Sequence, residues 1–202
     1  PTGLLQIIGD AFASARRMVQ VATAQLNAVD AQEREMLDHC MAEGLLRLAV
    51  QPILTPSDQK PAAYEALLRS GHSVLDTPLA LLQVAERHSR INELGNCVFG
   101  LAERWFEKIP PSTGLFVNLH PTQLSDPERL LEALSGLQPF AHRVTLEITE
   151  RSPLYEIELW EKSVELVTEA GFSLAIDDLG AGYNSLTMLA ELQPRYIKLD
   201  MS

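Results

Sequence analysis

The chain has 202 residues, 46% of them hydrophobic, enough apolar material for one sizeable core with an added helical segment. A formal net charge of −11 without clustered Lys and Arg excludes a general binder of nucleic-acid polymers, so an anionic ligand here requires bound cations. No apolar run is long enough to span a bilayer and no signal-peptide pattern opens the sequence. Two cysteines without ligand spacing, Cys40 and Cys97, fit a reducing compartment; the expectation is a cytoplasmic segment with no membrane contact.

From Leu4 to about Glu43 the spacing of Leu4, Ile8, Ala11, Ala15, Val19, Ala22 and Leu26 predicts helix. A break is expected near Asn27 to Asp30, with Asp30 and Glu33 as the capping box of a second helix and Gly44 after its end. Residues 1–44 are therefore expected to form an N-terminal helical linker or signalling segment, or a helix packed on the domain, and 45–202 the domain itself. After Gly44, strand-like runs at about 46–54, 62–68, 115–119, 143–149, 173–177 and 195–200 alternate with helical stretches at about 78–92, 94–108, 127–135, 153–170 and 185–192. Thr77-Pro78, Asp126-Pro127 and Ser152-Pro153 are helix-start signals, and Gly171 is a stop. The alternation predicts a TIM-like (β/α) barrel. The first two strands, separated only by TPSDQKP, have no room for a crossover and must pair antiparallel.

Five of these strands carry one polar residue each within an apolar run: Glu65, Asn118, Glu147, Asp177 and Lys198. Alternation puts Val144, Leu146 and Ile148 on one face and Thr145, Glu147 and Thr149 on the other, so one face is expected to be oily and the other charged. Carboxylates gathered on one face repel one another and lose hydration unless a cation compensates them, which points to a divalent metal and an anionic substrate.

The segments QPIL, YEALLR, FVNLHPTQL, LEITE, DDLGAGYNSL and IKLD, in this order and spacing, resemble the EAL-domain family of cyclic-di-GMP phosphodiesterases from about Leu45 onward. The resemblance implies that Glu65, Asn118, Glu147 and Asp177 hold Mg²⁺ or Mn²⁺, with Asp178 joining Asp177 at a second ion. It implies that Lys198 lies beside the attacked phosphate with Asp200 on the same face, and that Glu150 steadies a mobile loop containing Gly180 and Gly182. Arg69 would reach a substrate phosphate, while Gln51 and Leu67 would line the nucleotide pocket. It further implies hydrolysis of cyclic-di-GMP to the linear dinucleotide pGpG, an upstream sensory or regulatory domain, and a homodimer formed through helices near the DD loop.

The sequence departs from the family at Leu179, where phenylalanine is usual, and at His120, where a small serine is common and space filling is the expected role. It stops at Ser202, whereas the family barrel has two further strands bearing another metal-binding glutamate and a base-contacting glutamine. The expected barrel is thus incomplete at its C-terminal side, with weak or absent turnover in this stretch alone. Two rival readings remain: a catalytically silent receptor for the same nucleotide, and a lyase or aldolase in which Lys198 forms a Schiff base.

Overall fold

The computed structural model describes residues 2–149, 154–179 and 185–199. Helix α1 (Thr2–Ala42) runs unbroken, so the expected split near Asn27 does not occur. Residues 27–30 contain neither Gly nor Pro, and nothing there interrupts the hydrogen-bond ladder. Asp30 therefore lies inside the helix rather than capping a new one, and Glu33 reaches the domain instead. Gly44 adopts φ +67°, the left-handed turn that ends the helical segment and turns the chain into the sheet.

Among the described residues, six strands lie side by side in chain order: β1 (Leu46–Leu54), β2 (Pro61–Ser70), β3 (Gly114–Asn118), β4 (Val144–Thr149), β5 (Ser173–Leu179) and β6 (Tyr196–Leu199). The first pair is antiparallel, with Gln51 opposite Glu65, and the other pairs are parallel. Helices α2 (Pro78–Arg87), α3 (Ile91–Glu103), α4 (Pro127–Ala133), α5 (Trp160–Glu169) and α6 (Ser185–Leu192) fill the crossovers. The Thr77 side chain accepts from Ala80 N–H and Asp126 from Arg129 N–H, so both expected start signals act as N-caps. The expected Ser152-Pro153 start lies outside the described residues. Among those described, α5 begins only at Trp160, because Leu159 takes a left-handed φ of 60° that cannot continue a helix backward. Gly171, at φ +92°, closes the turn after α5 as the sequence predicts.

The outward row of the strands, including Leu115, Val117, Val144, Leu146, Ile148, Leu174 and Ile176, is buried under the helices against Phe99, Leu130, Leu134, Trp160 and Val167. The inward row, expected to carry charge, does so in its second tier only. Ala63, Phe116 and Ala175 form a small apolar floor with Ile53, and Phe116 packs on Tyr196 with ring centroids 5.1 Å apart. One inward step further along the same strands come Glu65, Asn118, Asp177 and Lys198, and Glu147 stands two residues beyond the buried Thr145. An apolar floor beneath polar groups at the carboxyl ends of parallel strands raises the chemistry to the mouth of the sheet.

Candidate metal centre

Sheet alternation alone brings the polar tier together. Asn118 is the register partner of Glu147, and Asp177 stands opposite Thr149, one inward step beyond Glu147, so β3, β4 and β5 bring an amide and two carboxylates to neighbouring positions of the inward row. Carboxylate oxygens of Glu65, Glu147 and Asp177 all lie within 4.8 Å of one another, spacing suited to a shared ion. Lys198 Nζ sits among them, 3.1 Å from Glu65 Oε1, 2.9 Å from Glu147 Oε1 and 3.1 Å from Asp177 Oδ1.

The electrostatics of this cluster are unbalanced. Three carboxylates against one ammonium leave two negative charges when all are ionised, the charge one divalent ion would cancel. Glu147 bears most of the strain: it is 1% exposed, its Oε1 is held by Lys198 at 2.9 Å, and its Oε2 has no hydrogen-bond partner among the described residues. Burial is the main force raising its pKa to about 7; Lys198 opposes the rise, and Glu65 and Asp177 add to it. Burial also works against the charge on Lys198, but Glu147, Asp177 and Glu65 together outweigh it and hold the ammonium above the usual lysine range. That is the reverse of what a Schiff-base lysine needs. An oxygen-only donor set in which the buried Glu147 Oε2 lacks a partner among the described residues fits a hard divalent cation.

Asp178 occupies a bulge. It has φ 60°, its N–H donates to Asp177 Oδ1 at 3.0 Å, and the β5–β6 register shifts between Ile176 and Leu179. The left-handed residue breaks strict alternation where two aspartates follow one another, and its hydrogen bond fixes the Asp177 carboxylate.

Of the residues expected to contact substrate, Leu67 and Arg69 line a cleft of about 280 Å³ together with Asn118, Glu147 and Thr149. Arg69 donates to its neighbour's carbonyl, Leu68 O, at 2.8 Å. Gln51 is not brought to that cleft; it stands exposed on β1 opposite Glu65. Glu150, Asp200, Gly180 and Gly182 lie outside the described residues.

His120 does more than fill space. Its Nδ1 accepts from Thr122 N–H, its own N–H donates to Gln123, and Nε2 meets Glu86 Oε1 at 3.0 Å, so it caps the short turn beginning at Pro121 and ties it to α2. Leu82, Val98 and Gln123 also wall the cleft, and sequence reasoning missed them because their helical or turn positions read as packing. A capping pattern, His120 followed three residues later by Gln123, was the one available signal.

Fold and site together define an α/β protein of TIM-like architecture with an acidic cluster at the carboxyl ends of its strands. The chain belongs to the EAL domain family, whose model matches residues 34–202. It is 31% identical over 198 residues to the cyclic di-GMP phosphodiesterase NbdA of Pseudomonas aeruginosa, covering 93% of this chain and 24% of that protein. It is 28% identical over 181 residues to the probable cyclic di-GMP phosphodiesterase PdeG of Escherichia coli, covering 85% and 36%. The Klebsiella pneumoniae BlrP1 complex with manganese and cyclic di-GMP superposes with a TM-score of 0.65 at 28% identity, covering 80% of this chain and 42% of that one. A complex of BlrP1 with calcium and the same nucleotide gives 0.64 at 29% identity, covering 77% and 40%. The Xanthomonas citri FimX EAL domain, bound to c-diGMP, shares the fold at a TM-score of 0.72 and 22% identity, covering 88% and 72%. The chain spans between 21% and 36% of the first three curated relatives it matches. No described helix is long and apolar enough to cross a membrane.

Proposed function

We propose that this chain is a phosphodiesterase domain that hydrolyses one phosphodiester bond of cyclic-di-GMP to give linear pGpG, with Mg²⁺ or Mn²⁺ as cofactor. The observation that carries this reading is the convergence of Glu65, Glu147 and Asp177 around a point beside Asn118, with more negative charge than Lys198 balances. Glu65, Asn118, Glu147 and Asp177 would hold the ion, and Asp178 would serve a second. Divalent ions bound there lower the pKa of water and neutralise charge developing on phosphoryl oxygens.

The protein's own groups then divide the work. Lys198, kept protonated by its three carboxylates, presents a fixed positive charge to the scissile phosphate, and Asp200 lies on the same face of β6 by sequence alternation. Arg69 swings from its neighbour's carbonyl to a second phosphate, Leu67 packs on the nucleotide, and Gln51 approaches from β1. Glu150 steadies the loop that follows Asp177 and Asp178. Residues 1–44 serve as the linker or signalling segment through which an upstream sensory or regulatory domain acts, and a homodimer is the proposed working unit.

A second reading, a receptor that binds cyclic-di-GMP without cleaving it, draws on Lys198 already standing at the centre of the carboxylates. Both readings are separated by incubating the full-length protein with cyclic-di-GMP and Mn²⁺ or Mg²⁺ and following pGpG by chromatography. Product that disappears with a chelator and in Glu147→Gln supports the enzyme. Binding without product transfers the argument to the receptor, and neither binding nor product overturns both.

A further inference from the structure

Upstream of its contact with the domain, α1 leaves Met18, Val19, Val21, Leu26 and Val29 exposed, each by 54% to 72%. Ala15, Val19, Ala22, Leu26 and Val29 follow one another at steps of four, three, four and three, and the sequence carries that spacing back through Phe12, Ile8 and Leu5. This 3.5-residue repeat stays in register along a second helix with the same repeat, over more than three heptads, the length at which the pattern specifies a coiled coil.

We propose that the Ala15 to Val29 stripe of α1 pairs, parallel and in register, with the same stripe of a second copy of this chain. The stripe is self-complementary. In register, Val19 and Leu26 meet their own counterparts as core knobs, while the small Ala15 and Ala22 let the backbones approach closely. No like charges oppose across the seam: the charged residues between Ala15 and Val29 are Arg16 and Arg17, and the flanking Met18, Thr23 and Gln25 are neutral. A helix exposed alone to water is ordinarily supported by acid–base pairs one turn apart, and this segment contains no acid to form one. Its helicity is accounted for by the buried seam instead.

The same face changes partner below Val29. Glu33, next on the stripe, pairs with Arg87 and His88 of the domain, and Leu37 and Cys40 are fully buried against Leu81, Val84 and Leu94. The two helices therefore diverge near Glu33, each continuing onto its own domain. This pairing is independent of the catalytic reading.

Sedimentation of the chain across a range of concentrations tests the proposal. The expected result is a dimer that dissociates on dilution, and a Val19→Asp/Leu26→Asp double variant that is monomeric and loses helical signal from α1 while the domain stays folded, both side chains being exposed in the single chain. Mild oxidation should cross-link Leu26→Cys at least tenfold faster than Ala24→Cys, which lies on the opposite side of the helix. A monomer at every concentration, a dimer untouched by the double variant, or cross-linking at position 24 as fast as at position 26 would overturn it.

Discussion

Two glutamates of this chain meet basic partners and end with opposite properties. Glu147, on β4, is 1% exposed among two other carboxylates, and burial lifts its pKa to about 7. Glu33, on α1, keeps partial access to water, and its hydrogen bond to Arg87 holds its carboxyl below the usual range, with burial opposing and His88 assisting. The difference teaches that a charged contact must be read by its balance and its solvent. At Glu33 arginine and water satisfy the acid, and the contact is adhesive. At Glu147 acids outnumber the base and water is excluded, which leaves a demand that a bound cation would answer.

Removing the charge at each position should break the comparison most sharply. In Glu147→Gln, metal affinity and turnover should fall by more than about 100-fold, since even residues that merely orient metal ligands cost 10–100-fold when lost. Without metal the same variant should be at least as stable as the parent, because a strained charge has gone. Between about pH 4.5 and 7 the folded metal-free protein keeps a proton on Glu147 that the unfolded chain has released. Its stability should therefore drop as pH rises through that window, by about 3 kcal/mol, and level off above it. Denaturant titrations at several pH values should show that slope in the parent and a flatter one in Glu147→Gln.

Lys198→Met probes the same cluster from the other side. Three carboxylates lose their counter-charge, so the metal-free protein should lose about 3 kcal/mol, and millimolar Mn²⁺ should restore much of it. A melting temperature unaffected by either change would mean that the cluster is well solvated. The smallest effect is expected at Glu33→Gln, less than about 1 kcal/mol, as for other solvent-accessible ion pairs. Because the Glu33 pKa is lowered, its contribution is present above about pH 4.5 and fades as pH falls below that. This pH signature runs opposite to that of Glu147, and the two substitutions should separate them.

Much of this architecture is written in local pattern. Alternation identifies six strands, a six-residue connection from Thr55 to Lys60 forces β1 and β2 antiparallel, and Thr77 and Asp126 announce their helices. The convergence of Glu65, Glu147 and Asp177 follows from each standing on the inward row near the end of its strand. What escaped depends on tertiary context. The unbroken α1 overrides a plausible capping box, since Glu33 finds a better partner in Arg87 than in the backbone near Asp30. The left-handed Leu159 and Asp178 carry no glycine to betray them, yet one delays α5 and the other bends β5. The apolar floor of Ala63, Phe116 and Ala175 shares its parity with the charged tier, so period alone could not separate them. The His120–Glu86 contact joins residues far apart in sequence, which no local pattern reports.

The central claim is that Glu65, Asn118, Glu147 and Asp177 form one cation site. Titrating Mn²⁺ into the metal-free protein, with electron paramagnetic resonance to count bound ions, tests it most directly. The account predicts at least one bound ion per chain, lost in Glu147→Gln and retained in Glu33→Gln. Equal Mn²⁺ binding by all three proteins would contradict it.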